Sequence, residues 1–208
     1  MTALSAARGL VLVVSAPSGA GKTSVLRGLF QRRTGLTFSV SATTRPQREA
    51  ERDGVDYHFM SDEEFDRAVA HGEFAEWAVV HGNRYGTLKR TIDESVSSGA
   101  TIMLDTDTVG AFNIRKAYPD AVLVFILPPS MDILRTRLEN RRTESAGHIE
   151  KRLSAVPLEI AHMREYDYII VNDDIEAAVS QLDAVIEAEL LRSGRVVPTL
   201  DEWRSFLD

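Results

Sequence analysis

The chain contains no cysteine among its 208 residues, which excludes a disulfide framework and a thiolate metal site. No stretch approaches the roughly 20 apolar residues that a membrane helix needs, and the first apolar run lacks a secretory cleavage site. Basic residues are in the minority, since 24 Lys and Arg stand against 31 Asp and Glu, for a net charge of −7. A broad nucleic-acid-binding surface is therefore not expected. We expect a cytoplasmic protein with neither a membrane nor a nucleic-acid partner.

The rest of the composition is that of an ordinary globular protein, 44% hydrophobic and 26% charged. The length suffices for one sizeable core, with or without small inserted subdomains. Because the chain is acidic, an anionic substrate must be held by local clusters of Arg and Lys. The composition leaves open whether the protein is a monomer or a homo-oligomer.

A segment near the N-terminus has the features of a phosphate-binding P-loop. An apolar run at 10–14, typical of a buried strand, leads into Ser15-Ala16-Pro17-Ser18-Gly19-Ala20-Gly21-Lys22-Thr23, and the apolar residues that follow have helical spacing. This is the build of the loop G-x-x-x-x-G-K-[ST], except that the first glycine is Ala16. Backbone N–H groups at a helix N-terminus favour an anion. We expect Lys22 to reach the terminal phosphates of a nucleotide and the Thr23 hydroxyl to bind Mg²⁺. The alternative is a glycine-rich turn with a surface lysine.

Beyond residue 99 the chain alternates buried strands with helices, which is typical of a mostly parallel sheet covered on both faces. Strands are predicted at 101–105, 121–127 and 166–172, and helices at about 109–118, from 130, across 149–163 and up to Gly194. Pro157 lies inside the third helix and should kink it or end it. In the tail, Trp203 and Phe206 suggest one short docked helix.

Residues 38–90 break this alternation and are interpreted as an inserted subdomain. The patterns predict a half-buried strand at 36–40, a loop at 41–54, strands at 55–59 and 74–80, a turn at 81–86 and a helix through Leu88, Ile92 and Val96. Ser61 and Glu64 have the spacing of a capping box, which predicts a helix N-terminus.

Asp105 stands at the end of a buried strand. In a P-loop protein such a carboxylate commonly helps to hold Mg²⁺, often through water. Without a P-loop, the usual interpretation is a helix cap or a solvated group.

The inserted segment carries Arg45 and Arg48 on its loop, with Tyr57 and Tyr85 further along. Two guanidinium groups three residues apart in an acidic protein suggest a clamp for a second phosphate, because each can give two parallel hydrogen bonds to phosphate oxygens. The alternative is a solvated arginine pair.

Glu76 lies between Phe74 and Trp77. It could simply be exposed on the outer face of a strand. A carboxylate in an apolar pocket would instead suit guanine, whose adjacent N1–H and N2–H groups it can accept together, while adenine presents an acceptor at N1. A hydroxyl from Ser41 or Thr87 could then donate to guanine O6.

A third arginine cluster contains Arg137, Arg141 and Arg152. Arg137 and Arg141 share one helix face, where like charges repel unless an anion lies between them. Transfer of a γ-phosphoryl group needs cations on the oxygens that gain charge. The alternative is a lid surface on which nearby glutamates are counter-ions.

Taken together, these segments resemble guanylate kinase from about residue 9 to about residue 190. The matching motifs are Ser-Ala-Pro-Ser-Gly-Ala-Gly-Lys-Thr at 15–23, Ser-Val-Ser-Ala-Thr-Thr-Arg at 39–45 with Arg48, Gly54-Val55-Asp56-Tyr57, Glu76-Trp77-Ala78, Gly82-Asn83 with Tyr85-Gly86-Thr87, Asp105-Thr106-Asp107, Arg137-Leu138 with Arg141 and Thr143-Glu144, Lys151-Arg152-Leu153, and Tyr166-Asp167-Tyr168 through Asn172. Several motifs in the right order are far more specific than a P-loop alone. Ala16 also agrees, because guanylate kinases often have Ala-Pro-Ser-Gly at this point.

The resemblance implies a P-loop NTPase fold in one guanylate kinase-like domain over 1–208. Its parts would be a core at about 9–37, 99–130 and 165–194, a mixed α+β GMP-binding subdomain at about 38–90, a helical lid at about 137–157 and a tail at 195–208. The implied reaction is transfer of the ATP γ-phosphoryl group to GMP, giving ADP and GDP, with Mg²⁺ as cofactor.

The resemblance also implies a role for individual residues. Those expected at GMP are Ser41, Arg45, Arg48, Tyr57, Glu76, Tyr85, Gly86, Thr87 and Asp107. Those expected at ATP are Ala16, Pro17, Ser18, Gly19, Ala20, Gly21, Lys22, Thr23, Ser24, Arg137 and Asn172. Lys22, Arg48, Arg141 and Arg152 would assist transfer, and Thr23 and Asp105 would hold the metal, Asp105 through water.

The chain departs from the family pattern at a few positions. The family's loop usually reads Thr-Arg-x-Pro-Arg-x-Gly-Glu, whereas 44–51 reads Thr-Arg-Pro-Gln-Arg-Glu-Ala-Glu, and Val109 and Arg142 replace a frequent Gln and Gly. None of these changes removes a group that the chemistry needs. Two other classes fit less well: guanylate-kinase-like interaction modules typically lose the Lys-Thr that stands here at 22–23, and a GTPase switch would carry an Asn-Lys-x-Asp motif, which is missing.

Overall fold

The structure is a computed structural model that describes residues 9–80, 82–140 and 146–199. Its strands are β1 (Leu10–Ser15), β2 (Leu36–Phe38), β3 (Ala42–Thr43), β4 (His58–Phe59), β5 (Phe74–Val80), β6 (Asn83–Leu88), β7 (Thr101–Asp105), β8 (Val122–Leu127) and β9 (Tyr168–Val171). Its α-helices are α1 (Lys22–Arg32), α2 (Asp62–Ala70), α3 (Lys89–Ser97), α4 (Thr108–Ala117), α5 (Met131–Glu139), α6 (Ala146–Ala161), α7 (Ile175–Leu190) and α8 (Ser193–Val196). The helix suggested by Trp203 and Phe206 lies outside the described residues.

The first sheet is parallel and has the strand order β2-β7-β1-β8-β9. Its central strand β1 is buried along its whole length. Alternate residues of β1 enter opposite core clusters: Leu12 packs with residues of α1 and α7, and Val13 packs with residues of α3 and α4. The sheet is therefore covered on both faces, as the apolar strands predict. Among the described helices, none combines the length and the apolar character that crossing a membrane requires.

The second sheet has the order β4-β3-β6-β5 and mixes parallel and antiparallel pairs. Helix α2 covers one face with Phe65, which stacks on Phe74 at a ring-centroid distance of 4.4 Å. The predicted capping box starts α2: the Ser61 hydroxyl accepts from the Glu64 N–H, and the Glu64 carboxylate accepts from the Ser61 N–H. The P-loop NTPase fold with an α+β insertion is thus confirmed.

Several local predictions for the inserted segment are wrong. Residues 83–88, expected to end a turn and begin a helix, form β6, and α3 begins only at Lys89. The polar sequence of β6 has no apolar alternation, yet its backbone pairs with both β5 and β3. Part of the expected 41–54 loop is β3, and of the strand expected at 55–59 only His58 and Phe59 are extended.

Pro157 does not end α6, and the C-terminal boundary of α7 differs from prediction. Helix α6 continues through Pro157, which is exposed, while Leu153 and Val156 of the same helix are buried. Packing of that buried stripe outweighs the missing backbone hydrogen bond. Helix α7 ends at Leu190, and Gly194 lies inside the short helix α8 without a positive φ. The C-terminal boundary expected at Gly194 is therefore wrong.

Candidate nucleotide-binding site

The P-loop lies between the end of β1 and the start of α1, at the carboxyl edge of the first sheet. Gly19 and Gly21 both have φ of 93°, a conformation that disfavours any side chain. A Cβ on Gly19 would lie 2.8 Å from Leu138 Cδ2, and one on Gly21 would overlap Asn172 Nδ2. The two glycines are required both by the backbone and by close neighbours.

Lys22 lies beside Asp105, with which it forms an ion pair, and its Nζ also donates to the Thr106 carbonyl at 3.4 Å. Parallel pairing brings this about, because Val14 of β1 is in register with Asp105 of β7. The lysine is therefore held at the strand ends, close to where a phosphate would bind at the N-terminus of α1.

Thr23 and Asp105 line one shallow cavity of about 260 Å³ with Leu26, Arg27, Phe30 and Phe38. A hydroxyl and a carboxylate are hard oxygen ligands of the kind that Mg²⁺ takes, and Mg²⁺ usually keeps waters and substrate phosphates as its other ligands. Within the described ranges, no group of three or more His, Asp or Glu side chains could hold a metal by protein ligands alone. The pair fits Mg²⁺ that arrives with a nucleotide.

Asn172 and Arg137 converge on the carbonyl of Ala20. The Asn172 amide, 1% exposed, donates from Nδ2 to Ala20 O at 2.7 Å, and Arg137 donates to the same oxygen at 3.4 Å. Arg137 also donates to the Asn172 carbonyl at 3.0 Å. The structure thus brings together at the P-loop two of the residues that the resemblance places at ATP.

The lid arginines are only partly described. Arg152 of α6 donates to the Ser18 hydroxyl of the P-loop at 2.8 Å, so this helix lies directly over the phosphate loop. The other lid arginine expected to assist transfer, Arg141, lies outside the described residues, as do Arg142 and Glu144.

In the second sheet, four of the expected GMP residues share one row across the strands. The pairs Ala42–His58 and Ala42–Gly86 place Ser41 next to Tyr57 and to Thr87, and Thr87 pairs with Glu76. Cross-strand neighbours point to the same side of a sheet. Glu76, Thr87, Ser41 and Tyr57 therefore lie along one side of the second sheet.

Glu76 is half-buried, and its Oε1 accepts from the Thr87 hydroxyl at 2.6 Å. Burial raises the pKa of the Glu76 carboxyl, and the negative charge of Asp107 raises it further, while the Thr87 hydrogen bond acts the other way. The neighbouring Trp77 is 43% exposed. Glu76 is thus not the freely solvated strand residue of the alternative interpretation. Because Thr87 donates its hydroxyl hydrogen to Glu76, Thr87 has no hydrogen left to donate to guanine O6.

Asp107 connects the two sheets. Its Oδ1 accepts from the Gly110 N–H at 2.8 Å and caps α4, and its charge acts on Glu76. Ala75 of β5 packs on the core cluster that contains Ala111 of α4. The second sheet therefore packs on α4 through Ala75, with Glu76 within reach of the charge of Asp107, which follows β7.

Arg45 is held by a carboxylate that the sequence analysis did not assign. Glu51 accepts from both terminal nitrogens of Arg45, at 2.7 and 3.0 Å, and from the Arg48 N–H at 2.9 Å. The Arg45 guanidinium lies 5.3 Å from the Tyr57 ring centroid, and one of its terminal nitrogens also donates to the Pro46 carbonyl at 2.8 Å. Glu51 does not use the whole donor capacity of Arg45, since a guanidinium has five N–H groups.

The side chains of Arg48 and Arg45 differ in their exposure to solvent. Arg48 is exposed, whereas Arg45 is half-buried in its ring of partners. The sequence does contain a hint of the role of Glu51, because this carboxylate lies six residues after Arg45 in a loop that is rich in arginine. Its target could not be deduced, because residues 48–51 form a turn that no periodicity predicts.

Comparison with known proteins gives one family. A family model described as guanylate kinase matches residues 8–189. A guanylate kinase of Symbiobacterium thermophilum is 49% identical over 90% of this chain and 89% of its own length, and one of Agrobacterium fabrum is 42% identical over 98% and 93%. The crystal structure of guanylate kinase from Anaplasma phagocytophilum superposes with a TM-score of 0.73 at 34% identity, and covers 97% of this chain and 96% of that one.

Proposed function

The chain belongs to the guanylate kinase family, whose activity is ATP:GMP phosphotransfer, and we propose that the residues described above carry that transfer as follows. ATP binds on the P-loop, GMP binds along the row on the second sheet, and the two phosphates meet between Lys22 and the arginines. No covalent enzyme intermediate is needed, because phosphoryl transfer is achieved largely by positioning and electrostatics.

GMP is recognised by Glu76 through guanine N1–H and N2–H. The hydrogen bond at 2.6 Å from Thr87 orients the carboxylate. Because Thr87 donates to Glu76, Ser41 is the hydroxyl that donates to guanine O6. The phosphate of GMP is bound by Arg45, Arg48, Tyr57 and Tyr85. The Arg45 guanidinium is already oriented by Glu51 before GMP binds.

ATP is held by the backbone of residues 16–21 and by the side chains of Lys22, Thr23 and Ser24. Arg137 and Asn172 border the adenine. In the reaction, Lys22 leaves Asp105 for the phosphate oxygens, and Arg152 turns from Ser18 toward the γ-phosphoryl group, where Arg141 joins it. Each supplies positive charge where negative charge accumulates in the transition state.

Thr23 and Asp105 would hold Mg²⁺, Asp105 through water. When bound, the ion neutralises charge on the β- and γ-phosphates. The ion pair of Asp105 with Lys22, the residue next to Thr23, supports this assignment, because it places the carboxylate at the start of α1.

The region at 38–90 and the lid at 137–157 are proposed to close over the two substrates, which excludes water and limits ATP hydrolysis. A cytoplasmic location stays a prediction, supported by the absence of cysteine.

One observation carries the specificity: the Glu76 carboxylate is half-buried in the second sheet and is oriented by a hydrogen bond from Thr87. A coupled ADP-release assay with GMP, AMP, CMP and UMP tests it. We expect turnover with GMP far above that with AMP. If GMP supports no turnover, the proposed function is wrong, and if AMP is the better acceptor, the role given to Glu76 is wrong.

A further inference from the structure

Glu159 is an acidic residue of α6 that none of the steps above uses. It lies two turns after Arg152 on the same helix, and Arg152 touches the P-loop at Ser18. Two turns of helix return to nearly the same face, so Glu159 also faces the phosphate edge of the first sheet. The next residue, Ile160, packs on the core cluster that contains Ala111 and Ile114 of α4.

The Glu159 carboxyl is placed at a cost in stability. Its Oε2 is buried and accepts no hydrogen bond from any residue that the structure describes. Burial raises the pKa of Glu159, the charge of Lys22 lowers it and the charge of Asp107 raises it, which puts the carboxyl within electrostatic reach of both. A carboxylate oxygen that is buried without a hydrogen-bond donor lowers the stability of a fold. Groups kept in such surroundings concentrate at functional sites.

Lys22 supplies the missing partner. Its ammonium has three N–H donors, and its neighbours in the structure are the Asp105 carboxylate and the Thr106 carbonyl. If Asp105 held a metal ion through water, Lys22 would lose its ion-pair partner, and its flexible four-carbon side chain would need another group to orient it. A second carboxylate on the lid helix can take over that task.

We propose that Glu159 is a positioning residue, which accepts a hydrogen bond from the Lys22 ammonium when nucleotide binds and so fixes Lys22 on the transferred phosphate. This inference rests on the proposed function. It also links the lid to the P-loop, because α6 then contacts the loop at Ser18 through Arg152 and at Lys22 through Glu159.

Glu159→Gln tests the role of the charge with little change in shape. We expect kcat to fall about tenfold, which corresponds to about 1.4 kcal/mol in the barrier, while KM for GMP stays within twofold. We expect the melting temperature to stay level or to rise, because a half-buried carboxylate whose Oε2 has no hydrogen-bond donor is replaced by a neutral amide. A structural residue would not lower kcat while leaving stability intact.

Glu150→Gln is the matched control, since Glu150 is an exposed residue of the same helix and pairs with Arg135 at the surface. It should keep kcat within twofold. Glu159→Ala should lower kcat as much as Glu159→Gln does. The proposal is overturned if Glu159→Gln keeps kcat within twofold, or if its kcat falls only together with its melting temperature. Both results are distinct from failure of the proposed function, in which the unaltered chain itself gives no GMP-dependent turnover.

Discussion

Replacing Glu76 by glutamine should abolish most of the preference for GMP. The carboxylate can accept from guanine N1–H and N2–H together, and each hydrogen bond to a charged group contributes roughly 1.5–3 kcal/mol. The amide of the Glu76→Gln variant would keep one acceptor oxygen and turn an NH₂ group toward a guanine donor. Loss of one bond and a donor facing a donor together cost about 3–4 kcal/mol. We expect kcat/KM for GMP to fall by about 10²–10³.

The assay is coupled ADP release with GMP and with AMP, on the unaltered chain, Glu76→Gln and Glu73→Gln. Glu73 is an exposed carboxylate just before β5 and is the matched control. AMP turnover by Glu76→Gln should hold or increase, because an amide can pair with the adenine edge. If Glu76→Gln keeps kcat/KM for GMP within threefold of the unaltered chain, guanine is not recognised by this carboxylate.

Three further outcomes follow from the same geometry. Burial raises the pKa of Glu76, and only the ionised carboxyl accepts from both guanine donors. We therefore expect kcat/KM for GMP to fall about tenfold per pH unit below that raised pKa, and the pH profile of Glu76→Gln to lack this decrease. Gly86→Ala places a Cβ 2.7 Å from Phe74 Cδ1 and should lower the free energy of unfolding by about 1–3 kcal/mol in urea titrations. Gly21→Ala, with φ of 93° and a Cβ that overlaps Asn172 Nδ2, should remove ATP binding in calorimetric titrations.

Much of the fold could be predicted because its strands are buried on both sides. The residues of β1, β7 and β8 form apolar runs, and their alternation with helices determines a parallel sheet. In such a sheet the strand ends share an edge, so Asp105 could be predicted beside Lys22. The local sequence was sufficient to predict a strand or helix wherever the element packs directly against the hydrophobic core.

The second sheet was harder to predict because its strands are defined by backbone pairing with their neighbours and not by a periodic pattern of apolar residues. Strand β6 has a polar sequence and forms only because β5 and β3 offer partners on both sides. Glu51 illustrates the same limit in the site: nothing local shows that it binds Arg45 with both oxygens. Glu159 had no motif at all, and its placement became evident only when α6 was seen over the P-loop.

The central claim is that two separable nucleotide sites meet at Lys22. The most direct test is Lys22→Ala, measured for turnover and for GMP binding by calorimetric titration. We expect no detectable ADP release and a Kd for GMP within twofold of that of the unaltered chain, because Lys22 holds the ATP phosphates at the junction of the two sites and takes no part in holding GMP before transfer. Loss of GMP binding in this variant would contradict the account.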